Sequence, residues 1–206
     1  MAGPVLIIDL SGPVAAEQVA ELGVVLRGLA SRFVEARAGS YDVEVEPGRL
    51  GVVDPAGEGA RPFIVSITGP GFGDEAVFRA EHSEDPDLQA LIGFTPTHDV
   101  VVAGATFEVI DRLMIAELGA VVQDVVGGLA DVGTPPRALD VVRSLPGVVA
   151  IAGEPRTRVF GTAEFLRAWA AHPEFRYYSR WAGRPPTYHQ WENSPQQCKK
   201  TRSDDV

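Results

Sequence analysis

Residues 94–129 read FTPTHDVVVAGATFEVIDRLMIAELGAVVQDVVGGL, an apolar run followed by a long amphipathic segment. Consecutive valines from Asp99 to Ala103 predict a strand buried on both faces. Thr106 stands where a helix N-cap belongs. Beyond it Phe107, Ile110, Met114, Leu118, Val121, Val125 and Leu129 recur at steps of three and four, while Glu108, Asp111, Arg112 and Asp124 lie largely off that stripe. One strand feeding one helix is therefore the expected core unit. It names no reaction.

The same unit has an echo near the N-terminus. Pro4 to Leu10 is a short apolar run closed by Ser11, Gly12 and Pro13. After it Val19, Leu22, Leu26, Leu29 and Phe33 keep helical spacing, with Gly39 as terminator and Glu35 off the stripe. Ala20, Glu21, Leu22, Gly23 and Val25 match Ala116, Glu117, Leu118, Gly119 and Val121 at the same offset from a buried strand. Two such units predict an α+β fold: a mixed or antiparallel sheet with two main helices on one face, in a ferredoxin-like βαβ pseudo-repeat. A glycine inside a helix costs about 1 kcal/mol relative to alanine. Gly23 and Gly119 thus imply a close approach of helix to helix or helix to sheet.

Between the two units Tyr41 to Glu46 alternates, Val43 and Val45 on one side and Asp42, Glu44 and Glu46 on the other. Leu50 to Val53 reads as the second arm of a hairpin turned at Pro47 and Gly48. Residues 54–60 form a loop, and Phe63 to Thr68 another alternating strand. Asp74 to Glu81 is weakly helical, and Leu88 to Ile92 is a short helical turn. After the central unit, Thr134 with Pro135 and Pro136 starts a short helix in which Leu139, Val142 and Leu145 face inward. Val148 to Ala152 and Arg158 to Phe160 are strands about a turn at 154–156. Thr162 caps a last helix that stops at His172 and Pro173. Phe175 to Tyr178 reads as an edge strand. The domain is expected over 1–182, with a tail at 183–206 where Pro, Gln, Ser and Asp dominate.

Composition narrows the function classes. The chain of 206 residues carries a net charge of −10. That charge is uneven, because residues 1–154 hold nine basic against twenty-three acidic side chains, a balance of −14. Nucleic-acid binding needs clustered cations, so it is excluded; an acidic body draws basic partners instead. No apolar run reaches the ~18 residues of a membrane span. A single cysteine, Cys198, excludes an internal disulfide framework and a cysteine-rich zinc site. With no basic leader at the start, a cytoplasmic address is the default.

Four groups bear on chemistry. Gly69, Gly71 and Gly73 follow a strand, as a phosphate cradle does, but no Lys followed by Ser or Thr is present and Pro70 removes a donor, so a structural turn is expected. Asp9 and Ser11 lie at a strand end, where a turn and helix cap competes with a catalytic role. His82, Glu84, Asp85 and Asp87 could supply oxygens to a hard cation, although the loop has no EF-hand pattern and reads as solvated. His98 and Asp99 are neighbours on a strand and point to opposite faces, which separates them as a base and its orienter; the imidazole is expected at the surface or strand end. None of the four histidines stands at a metal-ligand spacing, so no catalytic residue, metal or cofactor is assigned from the sequence. Arginines interleaved with aromatics from Phe175 to Trp191 are expected to pack in part on the domain edge or to anchor a partner.

VLIIDLSG at 5–12, FTPTHDVVVAGA at 94–105 and LPGVVAIAGEPRTRVFGTAEFLRAWAAHPEFRYY at 145–178 resemble small uncharacterised α+β proteins of GC-rich bacteria, some of them similar to immunity proteins of polymorphic toxin systems. The resemblance implies a non-enzymatic acidic protein that neutralises a basic toxin domain, and it transfers no functional residue. Asp42, Glu44 and Glu46, one charged strand face, are the expected partner contacts. A small-molecule enzyme built on Asp9, Ser11 and the Gly69 to Gly73 loop is the alternative. A homodimer joined by an edge strand or the aromatic segment is the third reading.

Overall fold

The computed structural model describes residues 3–57, 59–73, 75–82, 88–106, 108–153 and 157–175. They form an α+β fold on one antiparallel sheet of eight strands, ordered β2-β3-β4-β5-β1-β6-β8-β7. The strands are β1 Val5–Leu10, β2 Ala30–Arg37, β3 Ser40–Val45, β4 Arg61–Thr68, β5 His98–Gly104, β6 Leu129–Gly133, β7 Val148–Ala152 and β8 Arg158–Gly161. The helices are α1 Ala16–Leu29, α2 Glu75–His82, α3 Leu88–Ile92, α4 Val109–Val126, α5 Leu139–Arg143 and α6 Ala163–Ala170. No helix among the described residues is long and apolar enough to cross a membrane.

Strand β1 pairs antiparallel with β5 on one side and β6 on the other. Strands β5 and β6 therefore run parallel, and α4 crosses over β1 to join them. Because side chains alternate, each strand sends one set to each face. The first set is almost wholly apolar: Leu6, Ile8, Tyr41, Val43, Val65, Ile67, Val100, Val102 and Val132 meet α1, α4 and α6 in the main core. Helices α1 and α4 touch, and α6 lies along α4. Trp169 of α6 is among the largest fully buried side chains and stacks on His172; burying a large apolar side chain stabilises by roughly 1.5–3 kcal/mol. The second face is mixed. A small cluster of Leu88, Ile92 and Phe160 packs α3 beneath the β7 end, and beyond it the face becomes polar.

Several expected elements are placed differently. Helix α1 ends at Leu29, and Phe33 and Glu35 belong to strand β2. The spacing from Leu29 to Phe33 is helical, but Phe33 is paired with Val43 and its ring lies 5.6 Å from that of Tyr41. Cross-strand packing and a tight turn at Gly39, whose φ is 75°, outweigh the local period. Leu50 to Val53 is not a hairpin arm: Pro47–Leu50 is one 3-10 turn, and β3 pairs instead with β4.

Helix α4 starts two residues late and is buried more broadly than one stripe. Its N-cap is Glu108 and not Thr106; the Thr106 hydroxyl donates to the Asp111 carboxylate at 2.6 Å, and the Glu108 amide donates to the same oxygen at 2.8 Å. Asp111, expected on the exposed side, is 1% exposed, because Arg61 of β4 reaches over the helix start. Its charge also favours the positive end of the helix. Leu129, counted with the helical stripe, opens strand β6 after the helix stops at Gly127 and Gly128, both at positive φ. Phe175 is not in a strand, and the rest of that expected strand, 176–178, lies outside the described residues, as does the expected tail at 183–206.

Candidate functional site

The reverse face of the sheet carries two polar regions. Toward β2, the registers bring Val34, Asp42, Ile64 and Ala103 into one row, with Arg32, Glu44 and Pro62 in the next. Arg32, Asp42, Glu44, Pro62, Ile64 and Ala103 line a shallow groove there. Its floor is apolar. The Arg32 guanidinium donates to Glu44 at 3.0 Å, an exposed pair of small energetic weight. Asp42 is half-buried, and its carboxylate makes no hydrogen bond or ion pair among the described residues. Glu46 is exposed just past the end of β3 and is not among the groove-lining side chains.

The second region lies where β1 and β5 pair. Asp9 and Asp99 are directly opposite each other in the register, and they are 0% and 1% exposed. Like charges so placed oppose pairing unless something offsets them. Helix α2 brings His82 over them: its Nε2 lies 3.0 Å from Asp99 Oδ2, and its ring packs 4.4 Å from that of Phe78. One ligand atom from each of Asp9, His82 and Asp99 lies within 4.8 Å of the others. The second Asp99 oxygen, Oδ1, is buried and accepts no hydrogen bond among the described residues. One row further along this face, Arg158 forks onto Asp131 with contacts of 2.6 and 3.0 Å.

The other sequence candidates separate from these regions. His98 does point away from Asp99; it opens β5, the strand-end position expected as one alternative, and is buried, not at the surface. Its Nε2 lies 2.9 Å from the Pro70 carbonyl and its Nδ1 3.0 Å from the Thr97 hydroxyl. With Nε2–H donating to Pro70 and Nδ1 accepting from Thr97, a neutral ring satisfies both contacts. The Gly69 to Gly73 loop is the structural turn expected: all three glycines have positive φ, and the Phe72 amide donates back to the Gly69 carbonyl. The Ser11 side chain is exposed and makes no hydrogen bond among the described residues, and Asp9 is grouped with His82 and Asp99. Glu84, Asp85, Asp87 and the aromatic segment past Phe175 lie outside the described residues.

The sequence could not have assembled Asp9, His82 and Asp99. They sit on three elements with no local spacing to join them, so each was legible only within its own segment: Asp9 at a strand end, His82 in an acidic group and Asp99 beside His98. The signal available was that both aspartates stand near the ends of largely apolar strands.

The family model described as a family of unknown function, DUF6368, matches residues 2–179. No curated protein and no solved structure matches the chain.

Proposed function

The chain belongs to the DUF6368 family, and we propose that it is a partner-binding domain whose groove receives a basic segment of another polypeptide. Asp42 carries this reading. It is a half-buried carboxylate with no hydrogen bond among the described residues, beside an apolar floor of Pro62, Ile64 and Ala103. An Arg or Lys side chain would lay its aliphatic stem on that floor and bring its charge to the carboxylate. Glu44 forms the rim with Arg32, and Glu46 extends the acidic edge outward. The −14 balance of residues 1–154 would raise the encounter rate with such a partner.

Under the resemblance to immunity proteins, the partner is a basic toxin domain and the binding is its neutralisation. That identity rests on the resemblance alone. The finer architectural reading also belongs here: β1 with α1 and β5 with α4 form a ferredoxin-like pseudo-repeat, supported by the contact of the two helices and by the facing of Gly23 and Gly119 onto sheet side chains.

A fluorescein-labelled arginine-rich peptide, titrated with the full chain and followed by anisotropy, tests the groove. Charge reversal of Asp42, Glu44 and Glu46 to Lys is expected to weaken binding at least ~10-fold, the loss of about 1.4 kcal/mol or more. Reversal of Glu17, Glu21 and Glu164, which lie on helices, makes the same change in net charge and is expected to cost ~2-fold. Equal losses in the two triple variants would mean that net charge alone binds the peptide.

A further inference from the structure

We infer that Asp9, His82 and Asp99 hold a divalent cation that fastens helix α2 to the reverse face of the sheet. The site is independent of the groove and draws on none of its residues. Its three ligands come from β1, α2 and β5, and their donor atoms already lie within 4.8 Å of one another. Around an ion with bonds of about 2.1 Å, donors sit roughly 3–4 Å apart, so small side-chain rotations close the set.

Electrostatics give the reason for an ion. Asp9 and Asp99 are paired across two central strands and both are buried. Desolvating two carboxylates side by side is costly, and a cation held between them would offset that cost directly. The buried Asp99 Oδ1, with no hydrogen bond among the described residues, is a separate sign of a missing partner. An isolated buried carboxylate oxygen costs free energy unless a donor or a cation meets it. A divalent ion would neutralise both carboxylates and convert the imidazole from a hydrogen-bond partner into a ligand.

The donor set selects the ion. Two carboxylates and one imidazole give O₂N, which suits Zn²⁺ or Mn²⁺. Calcium takes six to eight oxygens, and magnesium keeps several waters in a near-ideal octahedron, so both are disfavoured here. The His82 side chain is 12% exposed against 1% for Asp99, which puts the route of entry on the α2 side. Phe78 packs on the His82 ring and holds it in place over the carboxylates.

The full chain, stripped with EDTA and dialysed, is tested by thermal melting and by isothermal titration with ZnCl₂, MnCl₂, MgCl₂ and CaCl₂. Saturating Zn²⁺ or Mn²⁺ is expected to raise Tm by about 5 °C, with one ion bound per chain and little effect of Mg²⁺ or Ca²⁺. His82→Gln and Asp99→Asn are each expected to abolish the shift. Substitution with Co²⁺ should add a visible absorption band that both variants lose. His82 lies at the rim, so its variant keeps the test valid even where Asp99→Asn fails to fold. The inference is overturned by either of two results. One is no shift and no heat with any of the four salts. The other is a shift that survives in His82→Gln, which would place the ion elsewhere.

Discussion

At the scale of single residues, burial and not position in a pattern decides what a charge does. Asp111 and Glu117 both sit on α4. Asp111 is sealed under Arg61 and accepts two hydrogen bonds, whereas Glu117 has Arg167 of α6 as its charge partner. Burial pushes the Glu117 carboxyl above its ordinary range, and the attraction of Arg167, itself hydrogen-bonded to Asp124, opposes that only in part. The sign follows from linkage: a carboxyl raised in the folded state binds its proton more tightly there. Its contribution is fully present below the ordinary carboxylate range and is lost as pH rises through the raised value. Glu117→Gln is therefore expected to raise Tm by about 1–2 °C near pH 7 and to change nothing near pH 4. Melting curves at the two pH values check this, and a lower Tm near pH 7 would show that the attraction of Arg167 outweighs desolvation. None of this was legible in sequence. Asp111 lay off the apolar stripe, and only the approach of Arg61 from β4 explains its burial.

At the scale of elements, the local periods located most of the helices and strands and failed where a tertiary contact reversed them. The valine run of β5 and the alternation of β3 and β4 fixed those strands, because a period of two leaves little choice of face. Strand β2 was hidden behind a helical spacing that its pairing with β3 overrides. Strand β6 was hidden because LADVG is short and begins directly behind the helix-ending glycines. The two helices that carry the AELG echo are in contact, but their glycines do different work. A Cβ on Gly23 would meet the Tyr41 ring at 3.5 Å, an ordinary contact, while one on Gly119 would overlap Leu6 Cδ2 in the core. Gly23→Ala is accordingly expected to stabilise by up to ~1 kcal/mol through helix propensity. Gly119→Ala is expected to destabilise by about 1–3 kcal/mol through overpacking. Urea unfolding of both variants distinguishes the two cases; equal effects of the same sign would mean that the glycines are equivalent.

At the scale of the whole molecule, the two faces of one sheet have divided roles. The face under α1, α4 and α6 is apolar from β3 to β8 and carries the stability of the fold. The reverse face holds a carboxylate–imidazole cluster under α2 and, toward β2, a groove with a half-buried carboxylate. The α+β class was readable because most of the strands and helices signal themselves locally. The candidate sites were not, since strand order brings β1 against β5 and β3 against β4 over long separations, and no local motif encodes that order. Asp42 and Glu44 were readable as one charged side of a strand; that Arg32 would occupy Glu44 and leave Asp42 beside an apolar floor depended on β2 and β4.

Which face binds can be read directly from amide chemical shifts. In a ¹H–¹⁵N spectrum of the full chain titrated with the arginine-rich peptide at physiological salt, the account predicts shifts concentrated at Arg32, Asp42, Glu44, Ile64 and Ala103, with α1 and α6 unmoved. Shifts spread over the acidic helices, or confined to them, would contradict it.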